Sequence, residues 1–167
     1  MADKGAAVPI TLRFVLPLPP GVNNQYATVG RKRVLSSGAR SFHRDVKKVV
    51  AAMRQRGTIT SVMDHAFASS LLGAYMTYYF ETPYRRDLDG GLKITLDALG
   101  RELGFDDRAV VDLHLSKRID PLRPRVEIDL ETINGWEFDR TYRYLGESER
   151  PLAPANEERD HPNDAGV

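Results

Sequence analysis

Residues 71–107 read LLGAYMTYYFETPYRRDLDGGLKITLDALGRELGFDD, and their order decides the fold. In Leu71–Glu81, Leu72, Ala74, Met76, Tyr78 and Phe80 alternate with Leu71, Gly73, Tyr75, Thr77 and Tyr79. Both faces are largely apolar, which predicts a central strand. Thr82-Pro83 ends it. From Leu88 to Leu103 the period changes: Leu92, Leu96, Leu99 and Leu103 recur at helical spacing, and Ile94 and Ala98 widen the stripe. Gly104 is a natural terminator, and Asp87 or Asp89 is placed to cap the start. A strand, an acidic turn and an amphipathic helix in succession predict an α/β (α+β) domain.

The charged residues between strand and helix are poor core material. Ionised groups are costly to bury unpaired, and crowded carboxylates repel one another unless a cation or shared proton intervenes. Asp87 and Asp89 flank one residue, so an extended backbone aims both at a common point. Lys93 follows Asp89 by four residues and is expected to lean back towards it, with Asp97 another turn along. Asp106 and Asp107 fall after the helix, where a strand–helix–strand path can return them to the first pair. Oxygen-rich clusters of this kind suit a hard cation such as Mg²⁺, which points to phosphodiester chemistry at a metal. The alternative is structural: the aspartates cap the helix, Lys93 pairs with Asp89 and Asp97 on a solvated face, and Asp106-Asp107 make a turn.

Working outward, Ile10–Leu16 predicts a first strand, stopped by Pro17, Pro19 and Pro20. A long loop follows, hiding a short hairpin of Gln25–Val29 against Arg33–Ser36 with a basic tip at Arg31, Lys32 and Arg33. Ser41 is expected to cap a helix over Phe42–Gln55, ended by Gly57. Thr58–Ser70 reads as a loop with one helical turn near Met63–Ala68. Ala109–Lys117 and Arg125–Leu130 alternate as strands, and the loop Asp120–Pro124 between them predicts an antiparallel pair. The whole predicts a two-layer domain, a small mixed β-sheet packed against helices.

The chain of 167 residues suits one domain. Residues 1–9 read as a flexible leader, 10–131 as the domain, 132–145 as an extension docking Trp136, Phe138, Tyr142 and Tyr144, and 146–167 as a disordered acidic tail. With 41% hydrophobic and 28% charged residues the composition is that of a soluble protein with a real core. No apolar run approaches the roughly 18 residues of a membrane span, and MADKGAAVPI lacks the apolar stretch of a secretory signal. The absence of cysteine excludes disulfides and thiolate metal sites and suits the cytoplasm. Net charge is +1, yet residues 1–60 hold eleven basic residues against two acidic ones, and residues 146–167 two against six. A basic N-terminal third fits a polyanionic partner. The four histidines show no metal-ligand spacing, and His114 reads as structural.

The block RRDLDGGLKITLDALGRELGFDDRAVVDLHLSK resembles the core of RusA-type Holliday-junction resolvases. That family shows R-x-D-x-D-N-x-x-K-x-x-x-D-A-L, then DD-x-x-V and a strand ending in lysine. Here these are Arg85 to Leu99, Asp106 to Val110, and Lys117. Pro17 to Asn23, followed by Tyr26, is similar to the family's opening P-x-P-P-S-x-N and tyrosine. The resemblance spans about residues 10–130. It departs at Gly90, the family's asparagine, and at Gly21, its serine; Gly90-Gly91 also sets two helix-weakening residues at the predicted helix start.

The resemblance implies a homodimeric, bacterial or phage-encoded, Mg²⁺-dependent endonuclease, with Mn²⁺ as a substitute metal. Its partner is branched DNA, the four-way junction of recombination and repair, cut by paired symmetric nicks. By motif position Asp87, Asp89 and Asp107 are the metal-binding catalytic carboxylates, and Lys93 is the catalytic lysine. Asn23, Tyr26, Arg31, Lys32, Arg33, Arg40, Arg85, Arg86 and Lys117 are the expected DNA contacts. A protein that binds branched DNA without cutting it is the competing reading, motivated by the basic N-terminal third and Gly90.

Overall fold

The computed structural model describes residues 8–84 and 86–134. Arg85, most of the expected leader and extension, and the acidic tail lie outside the described residues. The α+β class is that expected, and among the described residues it comprises three helices, one four-stranded mixed sheet and a separate two-stranded ribbon.

Strand β1, Thr11–Pro17, buries Leu12, Phe14 and Leu16 and exposes the residues between them. A single 3-10 turn at Val22–Asn24 leads into the hairpin of β2, Tyr26–Val29, and β3, Lys32–Leu35. Val29 pairs with Lys32, so Gly30 and Arg31 form the tip, and Gly30 supplies a φ of +62° that other residues rarely adopt.

Helix α1, Ser37–Gln55, begins more than a turn ahead of the expected Phe42. Ser36, not Ser41, is the cap: its hydroxyl oxygen accepts from Ala39 N at 3.1 Å and donates to Asn24 O at 2.7 Å. One side chain therefore ends the hairpin and starts the helix, which outweighs the poor propensity of Gly38. Phe42, Val46, Val50 and Met53 are buried on its inner face, and Val49 is partly buried beside them. Helix α2, Ser61–Ser69, is longer than the single turn expected, capped by Thr60 and anchored by fully buried Phe67.

Strand β4, Leu71–Phe80, is central, between β6 and β5. Leu72, Ala74, Met76, Tyr78 and Phe80 face the helices. The other face is not apolar core: Tyr75 is exposed, stacked on His114 at 4.9 Å, and Asp112 accepts from the Tyr75 hydroxyl and pairs with His114. Among the described residues the helices cover one side of the sheet, and His114 stands on the other.

Helix α3, Leu92–Leu103, starts a turn later than Leu88. Neither aspartate side chain caps it. The cap position is Gly91, without a side-chain bond, and the Asp87 and Asp89 carbonyls accept from Gly90 N and Leu92 N in the preceding turn. The two glycines therefore lie ahead of the helix and do not weaken its interior. Gly91 is required by packing, because a Cβ there would overlap Pro19 Cγ. Gly104, at φ +81°, closes the helix as expected.

The predicted antiparallel pairing of the last two strands is overturned. Strand β5, Val110–Ile119, pairs parallel with β4, and β6, Arg125–Ile133, pairs antiparallel with both β4 and β1. The sheet order is β1-β6-β4-β5, so β4 separates the two strands that adjoin in sequence. The connecting loop spans β4's end, held by Asp120 N donating to Phe80 O and by the Arg125–Asp120 ion pair at 2.7 Å. The parallel β4–β5 pair requires a crossover, and α3 supplies it. Among the described residues no helix is long and apolar enough to cross a membrane.

Candidate active site

The crossover β4–α3–β5 carries every acidic residue of interest. Asp87 and Asp89 sit on the turn before α3, Lys93 and Asp97 on its exposed side, and Asp107 at the 3-10 turn Asp107–Ala109 that opens β5. Asp87, Asp89, Lys93 and Asp107 all line one open cavity of about 560 Å³, with Leu92 and Leu113 among its apolar walls. Residues twenty positions apart thus share one space.

Their engagements differ. Lys93 Nζ donates to Asp97 Oδ1 and to Asp107 Oδ2, each at 3.2 Å. The expected lean towards Asp89 is not found, because Asp89 lies in the turn ahead of the helix and its four-residue spacing to Lys93 is not a helical one. The hydrogen bond to Asp107, then that to Asp97, pushes the Lys93 ammonium pKa above its usual value, so it stays charged. The carboxylates of Asp87 and Asp89 make no hydrogen bond or ion pair with any described residue. Asp106 is occupied elsewhere: it caps the 3-10 turn through Arg108 N at 3.0 Å and holds the Arg108 guanidinium at 2.8 Å. Those bonds draw its pKa down to about 2. Of these two adjacent aspartates, Asp107 lines the acidic cavity and Asp106 does not.

The donor chemistry fits a hard divalent cation. Asp87, Asp89 and Asp107 offer only oxygen, open on one cavity, and two of the three are uncommitted. Among the described residues no three His, Asp or Glu side chains are already gathered as a metal-binding group.

The expected DNA contacts divide in two. Arg31, Lys32 and Arg33 are exposed on the hairpin, and Tyr26, at its base, has the Arg33 guanidinium 4.2 Å from its ring centre. Asn23 lines a smaller cavity of about 180 Å³ that also touches Asp87, Gly90 and Gly21. Arg40, Arg86 and Lys117 are committed to the protein, and Arg85 lies outside the described residues. Arg40 donates to Leu35 O, and Arg86 donates to Pro19 O at 2.8 Å. Lys117 donates to Pro83 O and Arg86 O, both at 2.8 Å, strapping β5 to the segment that delivers Asp87. Tyr78 was not expected near the site; it lies beneath the acidic turn in the Asn23 cavity, and burial pushes its phenol up to about 12. His43 and Arg101, on different helices, line a further groove that ends at Asp107. No spacing in the sequence connects them.

A basic hairpin and a cavity lined by aspartates and one lysine are compatible with a protein that acts on a polyanion. The sequence profile of Endodeoxyribonuclease RusA matches residues 17–131, and the chain belongs to that family. A comparison with curated proteins gives no match.

Proposed function

We propose that the protein is a Mg²⁺-dependent endonuclease that resolves four-way DNA junctions by paired symmetric nicks, working as a homodimer in recombination and repair in a bacterial or phage-infected cytoplasm. The observation that carries this reading is the shared cavity of Asp87, Asp89, Lys93 and Asp107, on a chain whose family is an endodeoxyribonuclease family. Twofold symmetry suits the substrate, since two equivalent sites then meet two equivalent phosphates.

In this reading Asp87, Asp89 and Asp107 hold the cation. A divalent cation held there would offset the carboxylate charge and supply Lewis-acid polarisation of a phosphate. Lys93, fixed by Asp97 and Asp107, presents its ammonium to the charge that grows on the phosphate oxygens as water adds and the P–O3′ bond breaks. Ligatable ends, a 5′ phosphate and a 3′ hydroxyl, result. Lys117 and Arg86 act through the backbone, setting the turn that carries Asp87. Arg31, Lys32 and Arg33 meet flanking phosphates, which makes binding salt-dependent.

The test is the full chain on a synthetic four-way junction, a flap and a linear duplex, each with Mg²⁺, Mn²⁺ or chelator. The reading expects symmetric nicks on the junction alone, dependent on metal. Binding to the junction with no nicks under any metal would support the non-cleaving alternative; nicking of flaps in preference to junctions would move the substrate class.

A further inference from the structure

A groove of about 660 Å³ runs between the hairpin and α1 on one side and α3 on the other. It is distinct from the acidic cavity but meets it, because Leu96 and Asp107 line both. Its volume lies within the roughly 300–1,000 Å³ of sites that take small organic molecules.

Its chemistry selects the occupant. Leu35, Leu96 and Phe105 give apolar wall, and the half-exposed ring of Tyr26 stands at the rim. Asp97, Asp106 and Asp107 are matched by Lys93, Arg108 and Arg101, so the groove carries no net positive charge to hold a second phosphate. Arg101 makes no hydrogen bond or ion pair with a described residue, leaving its donors available. Burial, then the charge of Arg101, holds the His43 pKa below its usual value, so His43 faces the groove as a neutral imidazole. An uncharged, flat, hydrogen-bonding group fits these walls.

We infer that the groove seats an unstacked nucleobase of the strand whose scissile phosphate lies at Asp107, stacked on Tyr26 and met at its edge by Arg101 and His43. This rests on the junction-nuclease reading and adds to it a base-binding subsite. The continuity at Asp107 places a base adjacent to the reacting phosphate within the groove. Aromatic stacking suits this role, because every base has a π face and an exchange point offers bases that are cheap to unstack. The guanidinium of Arg33 against Tyr26 steadies the ring on its ribbon.

The test is a binding cycle with the full chain and chelator, so that no cutting intervenes. Four-way junctions are prepared intact and with an abasic residue at each exchange-point nucleotide in turn. Tyr26→Ala is expected to weaken binding of the intact junction roughly 5- to 100-fold, a range set by the usual worth of base stacking. It is expected to cause no further loss at one particular abasic position, while Tyr26→Phe binds as wild type. Arg101→Gln is expected to flatten discrimination between junctions differing in the base at that position. Tyr26→Ala losses that are equal on intact and on every abasic junction, or no loss at all, would overturn the inference. Cleavage by wild type alongside such additivity would reject the subsite and keep the nuclease. A coupled cycle without cleavage would reject the catalytic reading and keep the subsite. Thermal melts of both Tyr26 variants establish that the fold is intact.

Discussion

Lys93 Nζ stands 3.2 Å from Asp107 Oδ2 and 3.2 Å from Asp97 Oδ1, bridging the helix to the turn beyond its far end. Asp107 also lines the acidic cavity, whereas Asp97 lines only the neighbouring groove. In the proposed function the lysine is positioned by Asp97 and acts beside Asp107.

That asymmetry separates the two aspartates. Lys93→Gln is expected to slow single-turnover junction cleavage about 10²–10³-fold, the usual cost of losing one preorganised charge donor. Asp97→Asn keeps the Asp107 contact and is expected to cost less than about tenfold, since one exposed ion pair contributes little. Junction affinity and melting temperature of both variants are the accompanying measurements; equal losses for the two would contradict the assigned roles.

The proposed function makes Lys117 a positioning residue. Its ammonium holds the Pro83 and Arg86 carbonyls, and removing it leaves both without that partner. Lys117→Met is expected to lose about 1–2 kcal/mol of stability and to lower the turnover rate with little change in junction affinity. Lys117→Arg, which retains the donors, is expected to restore part of both. A loss confined to affinity and steepest at low salt would instead mark Lys117 as a phosphate contact.

Gly91 and Gly90 are expected to respond differently to the same added methyl. At Gly91 a Cβ meets the Pro19 ring, and Gly91→Ala is expected to cost about 1–3 kcal/mol, as overpacking does. At Gly90 the nearest atom is Asp87 O at 3.3 Å, and the backbone is not left-handed. Gly90→Ala is expected to stay within about 1 kcal/mol of wild type. Urea unfolding of the two variants checks the contrast.

His43 predicts a pH dependence. Burial first, and Arg101 second, lower its pKa from 6.5, against opposing contributions from Asp97 and Glu102. The unfolded chain therefore binds the His43 proton more readily than the folded one. The folded state carries no penalty above pH 6.5 and loses stability as pH falls from there through the folded-state pKa. Denaturation between pH 5 and 7 is expected to show a shallower slope for His43→Gln, and the His43 imidazole resonance is expected to titrate below 6.5.

The elements were legible where a local pattern decided them. Leu92, Leu96, Leu99 and Leu103 fixed the face of α3, and the alternation in Leu71–Phe80 marked β4 before any tertiary contact was known. Pairing was less legible. Asp120–Pro124 has the length and composition of a hairpin loop, yet β5 and β6 lie on either side of β4, a choice made by long-range burial. The membership of the acidic cavity followed from chain order, because a crossover returns Asp107 to the helix that starts beside Asp89. Lys93's partners did not: spacing offered Asp89 and Asp97 equally, and only the late start of α3 breaks the tie. Likewise Arg86 and Lys117 are expected from the sequence as DNA contacts, and no local pattern shows that each donates to backbone carbonyls.

The central claim is that Asp107 belongs to a phosphodiester-cleaving site and not merely to a turn. The most direct measurement compares wild type and Asp107→Asn on the same four-way junction with Mg²⁺, reading cleavage and binding together. The account predicts symmetric nicks from wild type, a loss of at least about 10³-fold in the variant, and junction binding that is retained or tighter because a charge repelling the phosphates has gone. Cleavage by Asp107→Asn at the wild-type rate would contradict it.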